Sequence, residues 1–216
     1  MSMNKFIVLV LLLVFADSFG QDKGEDQTQV LIARFEQEMR EDSITSYFIL
    51  KKIRYGTVRL IDLGDPNSCR TNEYYFSMYG FWKNGNDTWI KKYDNCGAYN
   101  ALKLPDSKPM DFFQANLDQL KNQEVKRYNT RTDSSGNSDS YLPFVWQSHS
   151  PLRFYWFNHG MTRFDKNFAT FNLSTNSESV NVNYEYNNSL ALVTLNALCE
   201  DLISGLNKQQ LFNRIN

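Results

Sequence analysis

The sequence predicts an α+β fold. Apolar residues at helical spacing and β-rich aromatic runs occur side by side along the chain, and they never settle into the strand–helix–strand rhythm of a parallel sheet. The chain has 216 residues, including 16 Phe, 12 Tyr and 4 Trp, so rings must build much of the core and are numerous enough to line a groove as well. No internal repeat and no low-complexity block divides it.

Residues 1–20 read as a secretory signal. Lys5 gives a positive start, 6–15 is an apolar run, and Ser18 and Gly20 are the small residues before a cut at Gln21. The run is shorter than the about 20 apolar residues that span a bilayer. The expected mature chain, 21–216, suits one domain, secreted and free of the membrane once the signal is cleaved. From Thr28 to Glu41, Leu31, Ile32, Phe35 and Met39 form one helical stripe, with Arg34, Glu38 and Glu41 turned away. Tyr47–Leu50 and Thr57–Ile61 are expected strands, Asp65–Ser68 a turn, and Tyr74–Met78 a strand leading into Gly80. Asn84–Asp87 is a surface turn. From Ser107 to Gln123, Phe112, Phe113, Leu117 and Leu120 share a helix face behind a candidate cap at Ser107 and Pro109 in the first turn. Thr130–Ser140 is an exposed loop. Pro151–Phe157 is expected as a helix with Pro151 near its start. Val180, Val182 and Tyr184 alternate with polar residues as in a half-buried strand, and Leu190–Leu198 suits either a buried strand or a short helix.

Composition narrows the function classes. A formal charge of −1 provides no global attraction to nucleic acid or anionic lipid, so any RNA contact must be local and helped by stacking. Two histidines far apart and three scattered cysteines lack metal-ligand spacing, and no Gly-rich phosphate loop or G-x-S-x-G elbow occurs. No cofactor or metal is expected. Lys91-Lys92 and the basic residues of 121–127 read as solvated faces, and His149 as a surface residue. Cys69, Cys96 and Cys199 allow any one of three single bridges, and their odd number leaves at least one thiol unpaired within the chain. Triplets for N-glycosylation stand at Asn86, Asn172 and Asn187.

Two aromatic-glycine segments carry the chemistry. Phe76-Ser77-Met78-Tyr79-Gly80-Phe81-Trp82 and Phe154-Tyr155-Trp156-Phe157-Asn158-His159-Gly160-Met161-Thr162 are similar to the two active-site motifs of the T2 family of secreted ribonucleases, F-T-I-H-G-L-W and H-E-W-x-K-H-G-T-C. Cys69 before the first motif, Cys96 after it and Ala197-Leu198-Cys199-Glu200-Asp201 near the end keep the family's order, so the resemblance covers about 47–201. It implies a central antiparallel sheet with flanking helices, and metal-free cleavage of single-stranded RNA through a 2′,3′-cyclic phosphate. That chemistry needs a base for the 2′-hydroxyl and an acid for the leaving oxygen.

The departures from the motifs shape the expectation. Tyr79 stands at the first catalytic His, and an ordinary phenol near 10 is a poor base at neutral pH. Phe154, Tyr155 and Asn158 replace the second motif's His, Glu and Lys, so His159 alone matches a catalytic position. On the expected helix Tyr155 and His159, four apart, would share a face. The resemblance therefore implies His159, Tyr79 and Tyr155 as relic catalytic residues, and Trp82, Trp156 and Asn158 as ligand-binding ones. Thr162 replaces the family's bridging cysteine and none follows Cys199. A Cys69–Cys96 bridge is one pairing open to the chain. The leading expectation is a secreted T2-like pseudoenzyme that binds RNA, a glycan or a protein through the former cleft. The alternatives are an active endoribonuclease using His159, and a secreted carrier or interaction protein unrelated to nucleases. Both nuclease readings require Tyr79 and His159 to meet across one cleft.

Overall fold

The computed structural model describes residues 23–53, 74–130, 147, 149–177 and 179–215, with backbone alone at 23–26. The leader at 1–20, the strand at 57–61, the turn at 65–68 and most of the loop at 130–140 lie outside the described residues. The fold is α+β: a seven-stranded antiparallel sheet flanked by helices. Helix α1 (Lys23–Glu41) precedes β1 (Ser46–Ile53), β2 (Phe76–Asn84), β3 (Asp87–Asp94), β4 (Gly97–Ala98) and β5 (Leu102–Lys103). Helices α2 (Lys108–Ala115) and α3 (Leu117–Asn122) follow, then β6 (Leu152–His159), β7 (Thr162–Ala169), a 3-10 turn (Thr170–Leu173), α4 (Tyr184–Asn188) and α5 (Ala191–Lys208). The strand order is β4-β3-β2-β1-β6-β7, with β5 also on β3.

Side-chain alternation gives the sheet two faces, and register decides who meets whom. On one face Phe81, Phe48, Phe157 and Phe164 stand opposite one another across β2, β1, β6 and β7. Their rings stack at 4.7 Å between Phe48 and Phe81 and again between Phe157 and Phe164. The next row on that face is Tyr79, Leu50, Tyr155 and Lys166. Helix α5 roofs it with Leu192, Leu195, Cys199, Ile203 and Leu206, while α2 adds Met110 and Phe113 and α3 adds Leu120.

The other face carries α1. Leu31, Ile32, Phe35 and Met39 are buried as their spacing predicts, against Tyr47, Ile49, Met78, Trp82 and Tyr93. Gly80 lies in mid-strand beneath this helix, where a Cβ would come within 2.3 Å of the Phe35 ring. Only glycine lets the helix sit that close. Glu38, on the flank of α1, reaches down to the nearly buried Lys91 at 2.7 Å. A two-residue turn, Gly160-Met161, closes the β6–β7 hairpin with Gly160 at φ +60°, and Gly85 does the same for β2–β3 at φ +59°. A positive φ at the first turn position fits the type II′ hairpin geometry, in which glycine is unstrained.

Several expectations need correction. Pro151–Phe157 is not a helix. It enters β6, where Arg153, Tyr155 and Phe157 are buried on one face, and a dense aromatic run suits a pleated strand. The 107–123 helix breaks at Asn116, whose backbone N–H and side-chain amide both bond back to the Phe112 carbonyl. Ser107 makes no capping bond, because its hydroxyl turns to Asp111. The apparent strand at 180–184 reverses its faces: Val180 and Val182 are exposed, and Asn181 is buried because its amide bonds the Asn172 and Ser174 carbonyls. Leu190–Leu198 resolves as the start of α5.

The fully buried Asp94 is satisfied from several sides, by the Tyr75 and Tyr99 hydroxyls, Arg214 Nη2 and the Cys96 backbone N–H. Arg214 lies in the segment that bridges Tyr99 at the β4 end of the sheet. No helix among the described residues is long and apolar enough to cross a membrane.

Candidate functional site

Tyr79 and His159 do not meet. Both point to the face roofed by α5, but Tyr79 is level with Leu50 and His159 with Ser46. The phenylalanine row lies between them. Four residues along a strand is roughly 13 Å, and two strand spacings add roughly 10 Å sideways, so no single phosphate reaches both.

Tyr79 is 3 % exposed beside Phe212, and Tyr155 is fully buried with its hydroxyl donating to Asn196 Oδ1 at 3.0 Å. Burial, first of all, pushes both phenols above their ordinary range; hydrogen bonds from Ser77 and Asn207 partly oppose this at Tyr79. Neither hydroxyl is placed or poised to exchange a proton with a ligand. On a strand, as on the expected helix, Tyr155 and His159 share a face. The strand rise nevertheless separates them by the length of a whole row of rings.

His159 has different company. Its Nδ1 is hydrogen-bonded to Ser46 Oγ at 2.9 Å, and Gln114 Nε2 donates to the same oxygen at 3.1 Å. The Phe113 ring meets the imidazole edge-on at 6.1 Å. Nearby in register, Lys83 pairs with Asp111, which also accepts from Ser107; hydrogen bonds from that lysine and serine hold the exposed Asp111 carboxyl below its usual range. This arrangement gives one half-buried imidazole backed by a hydroxyl and an amide. Among the described residues, the hydrogen bond behind the ring comes from the Ser46 hydroxyl and not from a carboxylate.

The expected ligand-binding residues fall on the opposite face. Trp82 is buried against Phe35 at 5.7 Å and stacks on the half-buried Trp89. Trp156 and Asn158 lie farther across, on β6. There Phe154 and Trp156 are half-buried and near-parallel, with centroids 6.2 Å apart. Asn158 is buried; its Nδ2 donates to the Thr45 carbonyl at 2.8 Å, while its Oδ1 accepts nothing among the described residues. Beside these three, Asn167, Asp165 and Arg163 of β7 stand exposed on the same face, paired with Phe154, Trp156 and Asn158. Glu36 of α1 reaches Arg163 at 3.8 Å and closes one end of the strip.

Sequence reasoning missed Ser46 and Gln114, which nothing local marks. It also missed the β7 trio, although the alternation of Arg163, Asp165 and Asn167 with Phe164, Lys166 and Phe168 was there to be found. Cys96 is disulfide-bonded; its expected partner Cys69 lies outside the described residues. Cys199 is a free thiol, fully buried on the inner face of α5, and burial drives its pKa upward. Lys91 is held by Glu38, and Lys92 lies over the Tyr99 ring at 4.3 Å. Among the described residues no cluster of three or more His, Cys, Asp or Glu side chains could hold a metal. Compared with known proteins, the chain matches no family model, no characterised protein and no solved structure.

Proposed function

We propose that this chain is an exported, non-catalytic binding protein that holds a neutral, polyhydroxylated ligand, a glycan, on the strip of sheet formed by β6 and β7 beside α1. One observation carries the reading: two half-buried parallel rings, Phe154 and Trp156, lie next to the exposed Asn167, Asp165 and Arg163. A sugar ring offers C–H faces to aromatic rings, and hydroxyls that both donate and accept. The Asn167 amide, Asp165 carboxylate and Arg163 guanidinium of the strip supply both roles.

Charge favours a glycan over RNA. Arg163 is offset by Glu36 and accompanied by Asp165, and the whole chain carries −1, so a polyphosphate gains little from counterion release. Descent from the T2 nucleases would rest on motif order alone, because Gly80 and Gly160 each serve the fold in ways that owe nothing to catalysis.

The test is a titration with neutral oligosaccharides of several linkages, followed by tryptophan emission and calorimetry. Trp156→Ala should abolish binding, and Asp165→Ala should weaken it about tenfold, the equivalent of one good hydrogen bond. Binding of poly(U) in preference to every oligosaccharide would overturn the reading. A second reading, RNA cleavage by His159, draws on a half-buried imidazole whose Nε2 lies outside the Ser46 bond. Single-stranded RNA is expected to stay intact; cleavage that disappears in His159→Ala would put the second reading in place of the first.

A further inference from the structure

The three N-glycosylation triplets are unequal in the folded chain. Asn86 is exposed at the tip of the β2–β3 hairpin, next to Gly85. Asn172 is half-buried, and its Oδ1 accepts the Tyr128 backbone N–H at 3.1 Å. Asn187 has no exposed surface at all. Its Oδ1 accepts from the Lys126 N–H at 2.9 Å, and its Nδ2 donates to the Lys126 carbonyl at 2.9 Å and the Asn172 carbonyl at 2.8 Å.

An N-glycan replaces one of the two hydrogens on Nδ2, and at Asn187 both are already committed. Adding the sugar would strip a buried carbonyl of its donor and force a bulky group into packed space. We propose that Asn86 is a position at which this chain can carry an N-glycan, and that an N-glycan on Asn187 is mutually exclusive with the native fold. Each residue of the Asn187-Asn188-Ser189 triplet already has a structural reason to be there. Asn187 ties the 126 segment to the 172 turn, Asn188 Nδ2 bonds the Leu173 and Tyr184 carbonyls, and Ser189 Oγ donates to the Tyr186 carbonyl at the end of α4. The triplet is a by-product of that network.

A compartment that glycosylates nascent chains would therefore divert from folding every copy modified at Asn187. Use of Asn86 in the cell rests on the exported reading above; the exclusion at Asn187 does not. The experiment separates them by working outside the cell. The full chain carrying Ser174→Ala, so that Asn172 is silent, is glycosylated unfolded with a purified oligosaccharyltransferase and then refolded. Glycopeptide mass spectrometry then maps occupancy in the native and aggregated fractions. Asn86 glycoforms are expected among the native molecules, and Asn187 glycoforms only in the aggregate. Native molecules carrying sugar at Asn187 would overturn the exclusion, and confinement of Asn86 glycoforms to the aggregate would overturn the acceptor assignment.

Discussion

The two faces of the sheet are built from the same kinds of residue and come to different ends. One is roofed by α2, α3 and α5, and its tyrosines and phenylalanines are buried, with Phe164 at the β7 edge half-buried. The other carries α1, whose Leu31, Ile32, Phe35 and Met39 are buried against β1–β3, and farther across it Phe154 and Trp156 stay half-buried while Arg163, Asp165 and Asn167 of β7 are exposed. An aromatic residue near a motif glycine is therefore no guide to function by itself. What lies above it in the fold decides.

Removing a ring from the sealed face should have the largest effect. Phe48 is fully buried among Phe81, Phe113, Tyr155 and Phe157, so Phe48→Ala should cost about 4 kcal/mol in urea unfolding. Gly80→Ala attacks the seat of α1 on the other face. Overpacking the Phe35 ring should cost about 3 kcal/mol, and a second substitution, Phe35→Leu, should return part of it in a double-mutant cycle. If Gly80→Ala alone is neutral, α1 is not seated as described.

Alkali should test both faces at once. Burial raises the phenols of Tyr79 and Tyr155 on one face and Tyr93 on the other, so in each case the unfolded chain releases its proton first. Their contribution to stability is whole below the unfolded value of about 10 and declines as pH climbs from there toward the higher folded values. Stability measured from pH 8 upward should stay level in this respect and then fall, with phenolate absorbance from these rings appearing only on unfolding. The smallest effect should come from the open strip: Trp156→Ala should change stability by only about 1 kcal/mol while removing ligand binding. A loss as large as that for Phe48→Ala would erase the contrast between the faces.

Much of the frame was legible because it follows local rules. The Leu31–Met39 stripe, the Tyr47–Leu50 strand and the Asn84–Asp87 turn each declare themselves within a few residues. β6 misled because Pro151 ahead of a ring-rich run imitates a helix start, and only the neighbouring strands make it a strand. Asn181 and Asn187 misled more deeply: polar residues are inside there because distant carbonyls need donors, which no window of sequence can display. The candidate site was half legible. Trp156 and Asn158 were named for a cleft that the register does not form, and they lie on a strip whose other half, β7, carried an alternation that went unused.

The central place of β1 bears on how the molecule comes together in time. Its two neighbours, β2 and β6, are far apart in the chain, and Ser46 finds His159 across 113 positions. Such distant pairing closes large loops before it is rewarded, which slows folding. The β6–β7 hairpin, nucleated by Gly160, is cheap to form alone and can arrive ready-made. Docking that hairpin onto β1 would then be the slow step, and until it happens the middle of the sheet is an open, hydrophobic edge prone to aggregation.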